Sequence, residues 1–376
     1  MRDRAKRQQF EHALKQSDFD VIVAASPENT WYLSDVMIET QRGLSERLAV
    51  VVWAKGAEPI YVVCTNEEIQ ARQEAWITDI RSYVEYQQSP IQLVVDALKE
   101  LGAGAAGATV GIEKRFLTAE YYDQLTKLLP NARLTDIGLF LERVRAVKTP
   151  DEITRLERAA LATDRAIRTA FEATHAGMTE RQVGARMLSE LVLNGAEMQA
   201  FQTLAAGSHS CSTHTAPGDY VLRSGDLMRT DFGGVFPGGY NSDLARTMAV
   251  GIASERQRDI YRVIWDEHER LIALLRPGVT GCDVYLSHKA QWEARDWPMV
   301  RPHIGHSLGI GVHEHPLLMP SDTAPLTAGM CICVEPTYLV PGVEKYHVED
   351  LILVTERTPR VLSRAADWSE LYQTGT

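Results

Sequence analysis

The first 142 residues alternate between strand-like and helix-like segments. Short runs rich in valine and isoleucine predict buried strands at Asp20–Ala25, Leu48–Ala54, Pro59–Cys64 and Thr109–Glu113. Amphipathic stretches between these runs predict helices at 66–75, 90–101 and 118–129. The run from Asn29 to Ser34 predicts a loop that carries a partly buried aromatic pair, Trp31 and Tyr32. This alternation predicts an α/β domain over residues 1–145.

From about residue 146 the pattern changes to longer amphipathic helices and short strands. Capping boxes mark the starts of three helices, at Thr149 with Glu152, Thr179 with Gln182, and Ser254 with Gln257. A fourth helix is predicted from Asp283 to about Trp292. Strand-like runs lie at Asp226–Phe232, Leu244–Val250, Met330–Glu335 and Val348–Thr355. Helices segregated from an antiparallel sheet predict an α+β domain over residues 146–376.

Composition narrows the class of protein. A hydrophobic content of 45% with 24% charged residues is typical of a globular protein, and the net charge of −11 argues against nucleic-acid binding. The charged N-terminal stretch is not a signal peptide, and no apolar run predicts a membrane span. The five cysteines are too widely spaced for a disulfide framework, and Cys331 and Cys333 are expected to be buried packing residues. We therefore expect a cytoplasmic protein.

Two aspartates flank a predicted turn. Asp231 follows a strand-like stretch and precedes two glycines, and Asp243 begins the returning strand, so the two side chains can face each other across a hairpin. Close carboxylates repel unless something positive lies between them. Arg246 could supply that charge in an ordinary ion pair. A divalent cation is the other answer, because such ions favour carboxylate oxygens.

Four histidines lie in the segment 301–316, among alternating glycines. The glycines argue against a regular helix and let the backbone approach a ligand closely. A lone histidine is usually structural, whereas a cluster in a glycine-rich loop is typical of a metal or proton-transfer site. His306 and His313 are the best candidates, and His315 is expected to be peripheral.

Two glutamates lie near the ends of apolar strands. Burying Glu335 or Glu349 is costly unless the carboxylate is paired or bound to a metal. Ion pairs could account for each glutamate separately. A dinuclear site would explain Asp231, Asp243, His306 and both glutamates together, and two cations about 3.5–4 Å apart can activate a water for attack on a carbonyl carbon.

Taken together, these segments resemble the pita-bread metallohydrolase family, which includes methionine aminopeptidase, aminopeptidase P, prolidase and creatinase. The matching segments are 240–247, 305–309, 312–316, 334–336 and 348–350. The resemblance covers residues 145–360 and, more loosely, the N-terminal region. It implies an α+β pita-bread catalytic domain preceded by a creatinase-type α/β domain.

The resemblance also implies a role for each ligand. Asp243 and Glu349 would bridge two divalent metal ions, Asp231 would complete one ion, and His306 and Glu335 would complete the other. Glu335 would also act as general base toward a metal-bridging hydroxide that attacks an amide carbonyl. Manganese suits the oxygen-rich set best, with zinc, cobalt and iron as alternatives.

Three more histidines are assigned by the resemblance. His313 and His214 match the two histidines that contact the substrate and assist catalysis, and His347 occupies a substrate-binding position. Proline-specific members usually carry arginine where His347 stands, and a histidine cannot form the same permanent bidentate fork. The stretch from Asp231 to Asp243 is also one residue longer than the commonest family spacing.

The implied function is an Xaa-Pro peptidase of the aminopeptidase P or prolidase type, in a homodimer, acting on a short peptide or another small molecule. The alternative keeps the fold and the metals but hydrolyses a C–N bond of a small metabolite, as creatinase-like and ectoine-hydrolase-like relatives do, or catalyses a lyase step. A third hypothesis is a catalytically inactive binding protein, against which the intact ligand set argues. No nucleic-acid or membrane partner is expected.

Overall fold

The computed structural model describes residues 3–44, 46–299 and 301–375. The chain divides into two compact units, Met1–Arg145 and Ala146–Thr376. The α/β class predicted for the first unit and the α+β class predicted for the second are both confirmed.

The first unit is built around a six-stranded mixed sheet with the order β4-β3-β2-β1-β5-β6. Its strands are β1 (Val21–Ala24), β2 (Val50–Ala54), β3 (Ile60–Cys64), β4 (Asp79–Tyr83), β5 (Thr109–Ile112) and β6 (Arg133–Asp136). The helices of this region are α1 (Arg4–Gln16), α2 (Pro27–Ser34), α3 (Glu68–Glu74), α4 (Pro90–Glu100), α5 (Ala119–Leu128) and α6 (Gly138–Ala146). Strand β1 pairs antiparallel with β2 and parallel with β5.

One predicted loop in this unit is a helix. The residues expected to form a loop belong to α2, where the Ser26 hydroxyl accepts a hydrogen bond from the Asn29 backbone N–H (3.2 Å) and Pro27 occupies the first turn. Trp31 and Tyr32 are 8% and 1% exposed, so both aromatic rings are buried. Because an eight-residue helix is marginal in isolation, this burial is what stabilises it.

The second unit contains four long helices. They are α7 (Pro150–Glu172), α8 (Glu180–Leu193), α9 (Glu255–Leu274) and α10 (Gly281–Glu293). The three predicted capping boxes are confirmed at α7, α8 and α9, and α10 begins with a fourth box formed by Thr280 and Asp283. Each box satisfies backbone N–H groups that a helix start leaves without partners, so local sequence sets where these helices begin.

Two five-stranded sheets and a hairpin complete the second unit. The first sheet contains β7 (Met198–Ala206), β8 (Leu227–Phe236), β9 (Tyr240–Asn241), β10 (Leu244–Ala249) and β18 (Tyr372–Gln373). The second contains β11 (Gly305–Ser307), β12 (Glu314–Leu317), β13 (Cys331–Val334), β16 (Asp350–Leu353) and β17 (Arg360–Val361). The hairpin pairs β14 (Thr337–Val340) with β15 (Glu344–His347).

Apolar side chains hold the helices of this unit against its sheets. Phe171 of α7 and Met187 of α8 are buried with Phe232 of β8, and Val284 of α10 is buried with Ile332 of β13. Full burial of such a side chain contributes roughly 1.5–3 kcal/mol. In the part of the chain that the structure describes, every helix is too short or too polar to cross a bilayer.

Candidate metal centre

Asp231 lies in the middle of β8 and not at its end, which corrects the sequence-based expectation. Strand β8 continues through Gly233 to Phe236, and Asp231 stands opposite Ala245 of β10. A Cβ atom at Gly233 would lie 2.1 Å from the Ser242 carbonyl oxygen, so only glycine lets that backbone pass so closely. This close approach brings Asp243, one residue before β10, beside Asp231.

Arg246 does not form the ion pair with these two aspartates that was one of the two alternatives. Its guanidinium Nη2 lies 2.7 Å from Asp164 Oδ1 and 2.8 Å from Asp350 Oδ1, and all three side chains are fully buried. The same guanidinium also donates a hydrogen bond to the Glu349 carbonyl. Arg246 therefore fixes the backbone at Glu349 and leaves Asp231 and Asp243 without its charge.

The remaining candidate ligands come from the second sheet. His306 of β11 stands opposite Cys333 of β13. The Glu335 N–H, directly after β13, donates to Ile304 (2.9 Å), and the Glu349 N–H, directly before β16, donates to a carbonyl of β10 (3.0 Å). The last bond joins the two sheets, so ligands from both sheets meet at one place.

The His306 imidazole lies at the centre of this cluster. Its Nε2 atom is 3.5 Å from Asp243 Oδ2, 3.7 Å from Glu349 Oε1 and 4.0 Å from Glu335 Oε1. Its Nδ1 atom lies 3.2 Å from the Ser307 carbonyl oxygen, which assigns the proton to Nδ1. The lone pair of Nε2 then faces the carboxylates, as a metal ligand requires.

The carboxylates themselves fit a cation. Asp243 Oδ1, Glu335 Oε1 and Glu349 Oε1 are buried, and none has a hydrogen-bond partner among the described residues. Buried polar atoms are nearly always satisfied, so three such oxygens at one point need a common partner. Carboxylate oxygens with one imidazole are suited to hard divalent cations.

Possible metal-donor atoms form two overlapping groups, and the donor atoms of each group all lie within 4.8 Å of one another. One group contains Asp243, His306, Cys333 and Glu349, and the other contains Asp231, His347 and Glu349. Because Glu349 belongs to both, it is placed to serve two ions. Cys333 is buried as expected, and burial followed by the Glu349 charge raises the pKa of its thiol, which is therefore protonated.

The pKa values show why the acidic cluster is unstable alone. Burial and neighbouring carboxylates raise the pKa of Asp243 and of Glu349. Burial also acts against ionisation of Glu335, but the Arg301 guanidinium and the contacts of His303 and His347 together outweigh burial and hold the pKa of Glu335 well below its usual range. Ionisation of all these carboxylates at once is therefore unfavourable unless a positive charge is added to the cluster.

The imidazoles stay neutral near neutral pH. Burial lowers the pKa of His306 to about 3 and also lowers the pKa of His313 and of His347. A neutral imidazole is the form that binds a metal, so the protonation states agree with the donor geometry.

The other predicted histidines lie at different distances from the cluster. His313 is exposed as a whole residue, but its ring is partly covered because it stacks on His306 with centroids 3.8 Å apart. His214 is exposed on the segment after a 3₁₀ turn, Gly207–Cys211, and forms no hydrogen bond with the described residues. His315 lies 3.2 Å from Asp322, in agreement with a peripheral position.

Sequence reasoning missed Arg301 and His303, which lie beside Glu335, and Lys345 of β15. Arg301 Nη1 lies 2.5 Å from Glu335 Oε2, so the ion-pair alternative for this glutamate is partly correct. His303 Nδ1 lies 3.2 Å from Glu335 Oε1, and His347 Nε2 lies 3.2 Å from Glu335 Oε2. Arg301 and His303 belong to the segment that carries His306. The third residue, Lys345, is two positions before His347 on β15, and that spacing was the available signal.

Comparison with known proteins finds a matching family model for each of the two units. Residues 154–356 match the model of metallopeptidase family M24, and residues 6–147 match the creatinase/prolidase N-terminal domain. The chain is 29% identical to an Xaa-Pro dipeptidase of Lactobacillus helveticus, over 91% of this chain and 92% of that protein. It is 30% identical to an uncharacterized peptidase, YqhT, of Bacillus subtilis, over 79% and 87%. A solved Xaa-Pro dipeptidase from Bacillus anthracis superimposes with a TM-score of 0.85 at 25% identity, covering 98% and 99%.

Proposed function

Because the chain belongs to metallopeptidase family M24, a family of metal-dependent hydrolases, we propose that it is a dinuclear peptidase that cleaves short Xaa-Pro peptides. The observation that carries this proposal is the set of buried carboxylate oxygens without partners on Asp243, Glu335 and Glu349. The relatives named Xaa-Pro dipeptidase in L. helveticus and B. anthracis support the substrate class.

In this proposal the five ligands divide between two ions. Glu349 would be shared by the two ions, which its membership of both donor groups supports, and Asp243 would be shared with it. Asp231 would belong to one ion, and His306 and Glu335 would belong to the other. Arg246 keeps this arrangement in place by holding the Glu349 carbonyl and the Asp350 carboxylate.

When bound, the metal ions supply a water that is acidic enough to react at neutral pH and a Lewis acid that polarises the scissile carbonyl. Glu335 Oε1 is the atom that accepts a proton and returns it to the leaving nitrogen. Arg301, with the contacts of His303 and His347, lowers the pKa of Glu335 against the effect of burial, so this carboxylate is ionised. His303 Nδ1 lies 3.2 Å from the same oxygen.

Three histidines are proposed to contact the substrate. The ring of His313 stacks on His306, which puts it at the edge of the cluster. His214 is exposed on the segment that follows the 3₁₀ turn Gly207–Cys211. His347 lies 3.8 Å from Asp231 Oδ2, so it borders the proposed metal ligands.

The test is a substrate panel on protein loaded with manganese, cobalt or zinc. Xaa-Pro dipeptides and tripeptides are compared with creatine, ectoine and related small amides. We expect turnover of at least one Xaa-Pro peptide with kcat/KM of about 10⁴ M⁻¹s⁻¹ or more, the low end for true substrates. Turnover of only the small metabolites would reject the peptidase in favour of the C–N hydrolase alternative. The homodimer, the manganese preference and the cytoplasmic location stay predictions.

A further inference from the structure

A buried lysine lies beside the candidate metal centre without an anionic partner. Lys345 is only 4% exposed, yet its Nζ atom donates one hydrogen bond, to Thr213 Oγ1 at 3.0 Å. Among residues 3–44, 46–299 and 301–375, no carboxylate forms an ion pair with it. Removing an ammonium from water costs several kcal/mol unless an opposite charge compensates, so this position calls for an anion.

Arg229 is a second buried cation with only neutral partners. It is 0% exposed and its guanidinium donates to Thr203 Oγ1 (3.1 Å) and to the carbonyl oxygens of Ser210, Ser212 and Thr213. Arg229 thus holds in place the loop whose hydroxyl contacts Lys345. No aspartate or glutamate of the described chain pairs with this guanidinium.

Other buried cations of the same unit are paired. Arg246 contacts two buried aspartates, and Lys148 Nζ lies 3.5 Å from Glu314 Oε2, with both of those side chains 1% exposed. Among the described residues of this unit, Lys345 and Arg229 are therefore buried cations without a carboxylate in an ion pair. Burial, followed by repulsion from Arg229 and Arg301, lowers the pKa of Lys345 to about 8 against the attraction of Asp231 and Glu335, so the lysine is still mainly charged at pH 7.

This place adjoins the proposed reaction centre. Lys345 and His347 alternate along β15 and so project from the same face of the strand. The His347 ring lies 3.2 Å from Glu335 and 3.5 Å from Arg301 Nη1. On the other side, Thr213 directly precedes His214, which is proposed to contact the substrate.

We propose that Lys345, Arg229 and Arg301 form a cationic pocket in which the Lys345 ammonium binds a free carboxylate of the substrate. Lys345 makes the contact, and Arg229 is a positioning residue that holds the Thr213 loop and adds to the positive potential. This inference rests on the proposed peptidase function and specifies it, because it selects substrates that end in a carboxylate close to the scissile bond, namely dipeptides.

The test compares Ala-Pro with Ala-Pro amide, which share the scissile bond but differ in the terminal charge. On the manganese-loaded enzyme, we expect kcat/KM to be about 10- to 100-fold higher for the acid, as for a hydrogen bond to a charged group. In Lys345→Met this ratio should fall close to one, mainly through KM, whereas Lys345→Arg should retain most of it. Thr213→Val keeps the Lys345 ammonium but removes the hydroxyl that accepts its hydrogen bond, so it should lower the acid-to-amide ratio of kcat/KM in part.

Lys289→Met is the matched control, since the side chain of Lys289 on α10 is 45% exposed and lies 3.6 Å from Glu293. It should leave the ratio unchanged. Equal wild-type hydrolysis of acid and amide, or a wild-type ratio in Lys345→Met, would overturn the proposal.

A binding measurement separates the pocket from the peptidase function. Calorimetry compares L-proline with L-prolinamide on the metal-loaded protein. If no Xaa-Pro peptide is hydrolysed, the proposed function fails. The pocket still stands if wild type binds proline at least 10-fold more tightly than the amide and Lys345→Met does not. Equal affinities, or no measurable binding of either compound, would reject the pocket.

Discussion

Removal of the Arg246 side chain should destabilise the second unit strongly. In Arg246→Met, Asp164 and Asp350 would lose a shared guanidinium that contacts them at 2.7 and 2.8 Å in a fully buried setting. Breaking a buried ion pair from one side costs about 3–5 kcal/mol. Asp350 keeps Arg364 (2.7 Å) and Asp164 keeps the Trp368 indole N–H (2.8 Å), so we expect the lower part of that range, about 3–4 kcal/mol.

Calorimetric or circular-dichroism melting of the metal-free protein would measure this loss. For a unit of this size, about 3–4 kcal/mol corresponds to a decrease in Tm of roughly 6–16 °C. Arg262→Met is the control, because Arg262 of α9 is 56% exposed and lies 3.5 Å from Asp259, and such surface pairs contribute about 0–1 kcal/mol. A Tm decrease in Arg246→Met no larger than that of the control would refute the reasoning that this buried network is a main support of the site.

Three further predictions concern the site and its surroundings. Glu335→Gln should keep its fold and melting behaviour while kcat falls by about 10²–10⁴, the usual contribution of a general base, and near-wild-type turnover would remove that role. Elemental analysis after loading should find about two divalent ions per chain, with fewer in Asp243→Asn; a protein that binds none would contradict the metal centre. Burial lowers the pKa of His268 from 6.5 to about 4. Below pH 6.5 this histidine therefore binds a proton in the unfolded chain but stays neutral in the folded protein. Stability should therefore decrease by up to about 3 kcal/mol as pH falls from 6.5 to 4, and urea titrations should show a smaller decrease in His268→Gln; an identical pH dependence in the two proteins would count against this assignment.

Local sequence predicted most of the elements that carry the site. The capping boxes at Thr149, Thr179 and Ser254 identify helix starts because the partners lie three residues apart, within the reach of any local pattern. Strands β4 and β6 were missed, since they lie at the two edges of their sheet and carry polar, partly exposed residues. An edge strand lacks the continuous apolar run by which central strands are recognised.

Helix α2 and the position of Asp231 show a second limit of prediction from local sequence. Helix α2 has a local start signal at Ser26, but its apolar residues are buried by contacts with distant parts of the unit. The two glycines after Asp231 suggested a turn, whereas they continue β8 because Ser242 packs directly on Gly233. A glycine pattern marks a special backbone requirement but does not say which one applies.

The sequence by itself determined the candidate ligands and the family resemblance. A carboxylate or imidazole at the end of an apolar segment must be compensated, and this requirement can be recognised from neighbours along the chain. Only the tertiary structure decided which partner compensates each charge. Arg246 pairs with Asp164 and Asp350, 82 and 104 residues away, whereas no carboxylate of the described residues forms an ion pair with Lys345. Coulombic energy depends on distance in space and on burial, and neither is encoded in the spacing of residues along a strand.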